Sequence, residues 1–215
     1  MLFCPPGWSL PIALLLGLSL AAPRHARAAV PAISDKPAEP RRERSAKDYD
    51  PNTPLVSHQG QTLRFYDDVI KGRIVLINTM FTSCAGICPP ITNNLLAVQK
   101  ALSPYLGKQV VMVSITVDPQ TDTPAVLKAY VERYAIGPGW LFLTGKPAHV
   151  DAVLAKLGDT DPEKTRHSGM LLIGDESGKS WRKVPAMSAP KDIASAIEKL
   201  LARKAPPPPP TAETR

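Results

Sequence analysis

Two cysteines four residues apart carry the reactive chemistry of this sequence. Cys84 and Cys88 lie in the stretch Asn78-Thr79-Met80-Phe81-Thr82-Ser83-Cys84-Ala85-Gly86-Ile87-Cys88-Pro89-Pro90. They are the only cysteines apart from Cys4 near the N-terminus. Residues i and i+4 project from one face of a helical turn with Cβ atoms about 5–6 Å apart. Two sulfurs so placed can share one metal ion, or close to a disulfide after a small shift. Pro89 disfavours the α conformation at Cys88 and is itself tolerated in a first helical turn, so the spacing predicts a helix from Pro89 or Pro90. Both thiols then stand at a helix N-terminus, where dipole and free N–H groups favour the thiolate. A structural disulfide is the plain alternative. It would close a very short loop, where cross-linking stabilises least.

The surrounding elements alternate. Ile74 to Met80 reads as a buried strand ahead of the cysteines, and Pro90 to Tyr105 as the helix after them. Val110 to Val117 is a second apolar strand; runs of this kind suit a sheet covered on both faces. In Asp118-Pro119-Gln120-Thr121-Asp122-Thr123-Pro124 the chain turns, with Asp122 or Thr123 as cap of a helix reaching about Tyr134. Trp140–Leu143, Met170–Ile173 and Ser180–Val184 read as strands, Pro147–Leu157 and Pro190–Leu201 as helices. Leu55–Ser57 and Thr62–Arg64 flank Gln59-Gly60 as an N-terminal β-hairpin, and Tyr66–Ile70 suggests a short helical turn. This order describes an α/β, thioredoxin-like three-layer sandwich with a central mixed sheet, spanning residues 55–202.

The flanks differ in composition. Leu10 to Ala22 is apolar and precedes Ala26-Arg27-Ala28, a small-x-small cleavage pattern. No lysine or arginine precedes it, and it is shorter than the roughly 20 residues a membrane-spanning helix needs. Residues 1–28 therefore read as an export signal peptide or a short membrane tether, with Cys4 inside it. Export would leave one cysteine pair in an oxidising compartment, as suits a redox or metal site. Two cysteines do not make a four-thiolate zinc site. Residues 29–54, rich in proline and balanced charge, read as a disordered linker. Residues 203–215, with Pro206 to Pro210, read as a proline-rich tail.

The formal net charge is +7 over 215 residues, but residues 55–202 hold sixteen basic against thirteen acidic side chains. No basic stripe is interleaved with aromatics, so nucleic-acid binding is not expected.

Of the four histidines, His25 falls in the signal, and His58 and His149 read as solvated side chains. His167 stands apart. It precedes the strand at Met170, which in a thioredoxin-like sheet runs antiparallel beside the strand carrying the cysteines. That topology brings His167 towards Cys84 and Cys88. Asp118 and Asp122 read as turn and cap residues, and Met80, Met112 and Met170 as core.

Phe81-Thr82-Ser83-Cys84-Ala85-Gly86-Ile87-Cys88-Pro89, Ser114 to Pro124 and Arg166-His167-Ser168 together resemble the Sco/SenC family of copper chaperones, from about Leu55 to Ala202. The resemblance implies one copper ion per chain, Cu(I) or Cu(II), held by Cys84, Cys88 and His167. It also implies a copper-bearing subunit of cytochrome c oxidase, or another copper protein, as recipient. The family usually has proline after the first cysteine, where this chain has Ala85, and many members carry a transmembrane anchor. The donor set agrees: two thiolates and an imidazole suit copper, and Cu(I) accepts three ligands, whereas zinc favours a fourth.

Two functions follow as expectations. One is a periplasmic metallochaperone, with or without an inner-membrane tether. The other is an enzyme, a thiol–disulfide oxidoreductase served by its own reductant, with Cys84 and Cys88 as its redox pair. The C-x-x-x-C spacing and His167 favour the first. Peroxide reduction has only the pair and the fold behind it.

Overall fold

The central strands are built from β-branched and apolar runs that leave no solvent-facing side. A computed structural model describes residues 51–159, 169–178 and 180–204, all within the compact unit Arg44–Arg215. Strands β3 (Ile74–Met80) and β4 (Val110–Thr116) are buried at every position. With β1 (Pro54–Ser57), β2 (Thr62–Arg64), β5 (Trp140–Thr144), β6 (Met170–Asp175) and β7 (Ser180–Pro185) they form a seven-stranded sheet ordered β2-β1-β5-β4-β3-β6-β7. The pairs β3–β4 and β4–β5 are parallel and the others antiparallel. This is the mixed sheet of a thioredoxin-like fold.

Alternation along β3 divides the core in two. Ile74 and Leu76 face α1 (Cys88–Leu102) and α4 (Pro190–Lys204), together with Leu127 and Tyr130 of α2 (Pro124–Arg133). Val75 and Ile77 face α3 (Pro147–Leu157) and a π-type turn, Phe65–Ile70. Helix α1 is seated by Ile91, Leu95, Val98 and Leu102, each contributing about 1.5–3 kcal/mol by burial. Helix α2 is capped by Thr123, whose hydroxyl accepts the Val126 N–H, so of the two candidate caps the hydroxyl takes the role.

Several boundaries differ from the sequence reading. Pro51 to Thr53, expected in the linker, are already folded. The Pro51 carbonyl accepts the Tyr66 N–H at 2.9 Å, and the Asn52 amide donates to Asp67 at 3.1 Å. Helix α4 runs on to Lys204, whose ammonium donates to the Gly72 carbonyl at 2.7 Å and lies 3.5 Å from Asp175. His58 is not solvated: it is 8% exposed, because β1 pairs with β5 and brings the Phe142 N–H onto its Nδ1 at 3.3 Å. Burial lowers its basicity, partly offset by the backbone of Phe142. His149 is half-buried, with Nδ1 3.1 Å from the Pro54 carbonyl.

On β6, Gly174 carries the indole of its cross-strand partner Trp181. A Cβ at 174 would fall 2.1 Å from the ring. Trp181 is 42% exposed, whereas Trp140 is buried and donates from its indole N–H to the Ser114 hydroxyl at 2.9 Å. Among the described residues no helix is long and apolar enough to cross a membrane.

Candidate metal and redox centre

The cysteine loop leaves the end of β3 and is tied down before it reaches the first sulfur. The Val117 N–H donates to the Met80 carbonyl at 2.9 Å, holding β4 against the end of β3. Asp122, fully buried, then takes hold of Thr82. Its carboxylate accepts the Thr82 N–H at 3.1 Å, the Thr82 hydroxyl, and the Thr116 hydroxyl at 2.6 Å. The Thr116 oxygen in turn accepts the Asp118 N–H at 2.9 Å. Asp122 is thus the anchor of the cysteine loop across forty residues of sequence, a role its reading as turn or cap residue did not include. The nearest local signal was the cluster of Asp and Thr after β4.

Helix α1 begins at Cys88 itself, one residue before the earlier of the two starts expected. Ile87, the residue before it, is helical at φ −79°, ψ −25°. The restriction imposed by Pro89 is overridden here by the packing of the first turn, since Cys88 is 2% exposed among Met80, Phe81 and Ile91. Cys84 stays half-exposed, and both are free thiols. The Cys88 N–H points at Cys84 Sγ from 3.4 Å.

The two sulfurs are electrostatically unequal. Burial pushes the Cys84 thiol up, but hydrogen bonds from the Cys88 thiol and from the N–H groups of Cys88, Gly86 and Ile87 outweigh it. The net effect holds Cys84 below the ordinary thiol value. Burial pushes Cys88 up to about 12, helped by its hydrogen bond to Cys84 and by the negative charges of Cys84 and Asp122. Cys84 is therefore the accessible, thiolate-prone sulfur, and Cys88 the sheltered one that keeps its proton. Beneath them Tyr130, raised chiefly by burial, pairs its phenol with the Thr92 hydroxyl at 2.7 Å.

His167 lies outside the described residues, as do Cys4 and His25. The strand it precedes is where topology required. β6 runs antiparallel to β3 with Ile77 opposite Leu172. Gly169, two residues beyond His167, sits against the loop, and a Cβ on it would be 3.1 Å from Ile87 Cδ1. Among the described residues no three His, Cys, Asp or Glu side chains gather closely enough to hold a metal ion. Asp122 spends its oxygens on Thr82 and Thr116. Met80 and Met112 are core residues, and Met170 is half-buried.

A thioredoxin-like sheet bearing a dithiol at the start of its first long helix defines the class of protein. Comparison with known sequences narrows it: residues 41–202 match the SCO1/SenC family model, and the chain belongs to that family. A SCO2-like protein of Rickettsia felis is 32% identical over 149 residues, 65% of this chain and 70% of that protein. Yeast Sco1 with copper bound superposes with a TM-score of 0.59 at 25% identity, covering 75% of this chain and 94% of that one. BsSco, in which a disulfide switch was identified, is a member of the Sco family of cytochrome c oxidase assembly proteins. It superposes with a TM-score of 0.56 at 24% identity, covering 68% and 89%.

Proposed function

We propose that this chain is an extracytoplasmic metallochaperone that takes up one copper ion as cargo through Cys84, Cys88 and His167 and delivers it to a copper centre of cytochrome c oxidase. The observation that carries the reading is the pair of free, adjacent and unequal thiols at the head of α1, with Gly169 packed on the loop between them. Two thiolates and an imidazole make a soft set suited to copper. Yeast Sco1, of the same family, has been seen with copper bound. Binding requires deprotonated sulfur, and Cys88 begins protonated, so uptake releases protons and weakens as pH falls. Oxidation of the pair to a disulfide removes both thiolates and releases the cargo.

Competition with a chromophoric Cu(I) chelator under reducing conditions tests this. We expect one copper per chain, and a sharp loss of affinity in Cys84→Ser, Cys88→Ser and His167→Ala. Undiminished affinity in His167→Ala would remove the three-ligand reading.

The inequality of the thiols supports a second reading, reduction of the recipient's cysteines. Cys84 thiolate would attack a partner disulfide, giving a mixed disulfide and one released thiolate. Cys88, once deprotonated, would attack Cys84 and free the second partner thiolate, leaving Cys84–Cys88 oxidised. An external dithiol reductant must then restore the pair. Catalytic turnover of a disulfide substrate by metal-free protein, unaffected by His167→Ala, would favour this reading over delivery.

A further inference from the structure

Large apolar side chains exposed among the described residues are Ile87, Val126, Trp181 and Met187. Two of them flank the cysteine loop. Ile87 stands between Cys84 and Cys88 and is 42% exposed. Gly169, against which Ile87 packs, accepts the Ala186 N–H on its carbonyl at 2.9 Å. Met187 follows, 54% exposed. The turn that displays it is clamped: the Asn94 side-chain amide donates to the carbonyls of Ala186 at 2.8 Å and Ser188 at 2.9 Å. Asn94 belongs to α1, so Met187 is pinned to the helix that begins at Cys88.

The two stretches of chain that carry these side chains lack charged residues. No Asp, Glu, Lys, Arg or His occurs from residue 74 to 99, nor from 184 to 190. Ile87 and Met187 thus stand in two stretches without a charged side chain, on a chain that carries +7 overall. Exchange at Cys84, whether of copper or of a disulfide, needs an incoming sulfur at bonding distance. The incoming protein must then cover Ile87. A charged group set on Ile87 would lose hydration against an apolar side chain.

We propose that Ile87 and Met187 form a docking rim for a recipient protein whose own metal-binding cysteines are ringed by uncharged, apolar surface. The proposal rests on the function proposed above and specifies the partner of that site. The two side chains act as apolar anchors of a small central contact, held in place before binding by the Asn94 clamp.

The test uses the full chain and the soluble copper-bearing domain of a cytochrome c oxidase subunit from the same organism, both metal-free and reduced. Amide chemical-shift mapping is expected to centre on Ile87, Met187 and their neighbours. Met187→Glu should weaken the dissociation constant about tenfold, as loss of an interface anchor does. Met187→Leu should bind within about twofold of the parent, since it keeps the apolar volume. Absence of binding by the parent, or shifts centred on Trp181 and Tyr66, would overturn the rim. So would a Met187→Glu variant that binds as the parent does. Equal loss in Met187→Leu and Met187→Glu would assign the contact to the thioether sulfur and overturn the apolar account. Copper affinity, measured on the same variants, is expected to stay unchanged. A parent that docks through the rim yet takes up no copper would sink delivery and leave the rim standing.

Discussion

Two buried aspartates stand at opposite ends of β3 and are satisfied in opposite ways. Asp175, opposite Ile74 at the start of the strand, accepts the Ser177 hydroxyl at 2.7 Å and has the Lys204 ammonium 3.5 Å away. Asp122, beyond the strand's end, is held among the described residues by neutral donors alone, from Thr82 and Thr116. Burial would raise the Asp175 carboxyl, but the hydrogen bonds of Ser177 and Gly178, with Lys204, hold it below the usual carboxylate range. Among the described residues, the aspartate with no cation beside it is the one at the thiol end. Burial is the main reason Cys88 resists ionisation, and the negative charge of Asp122 adds a smaller push in the same direction, so one residue anchors the loop and also sharpens the difference between the two sulfurs. The lysine at the other end makes a closed structural joint.

Removing Asp122 should therefore do more harm than cutting the joint. Asp122→Ala strands the Thr82 N–H and two hydroxyls and should cost about 3 kcal/mol, read from the urea midpoint. Lys204→Met, which removes a partly exposed cation, should cost no more than about 1 kcal/mol. Equal losses would erase the distinction between the ends.

Asp122→Asn sharpens the comparison, because it keeps the shape and deletes the charge. Cys88 should then ionise more readily, and its alkylation at pH 9–10 should quicken about threefold. In the parent, iodoacetamide should modify Cys84 well ahead of Cys88, as mass mapping would show. Modification of both at one rate would contradict the inequality of the pair.

The smallest effect lies at His58. Its folded basicity is lowered below the ordinary 6.5, so the unfolded chain binds the proton more readily. Stability attributable to His58 is full above about pH 6.5 and declines as pH falls from there towards the folded value. Replacement by Phe should flatten that part of the acid limb in thermal melts, by less than about 1 kcal/mol.

The sequence carried most of the sheet, because periodicity is local. Ile74–Met80 and Pro147–Leu157 are read within single windows, and the Pro124 helix start is marked by its Thr123 cap. Three features escaped because their causes are distant. His58 is buried by β5, more than eighty residues away. Asp122 acts on Thr82 across the ends of two parallel strands, and the Asp and Thr cluster around it reads locally as turn and cap chemistry. The start of α1 at Cys88 is decided by core packing around that thiol against the local bias set by Pro89. The cysteine pair itself was legible, since its spacing and flanking prolines lie in one short stretch.

The glycine under Trp181 has a practical consequence. Emission from an indole half open to water lies to the red of emission from one sealed in a core, as Trp140 is. The two indoles therefore report separately on the outer hairpin and on the central sheet, and replacing Gly174 would disturb the signal of the first before that of the second.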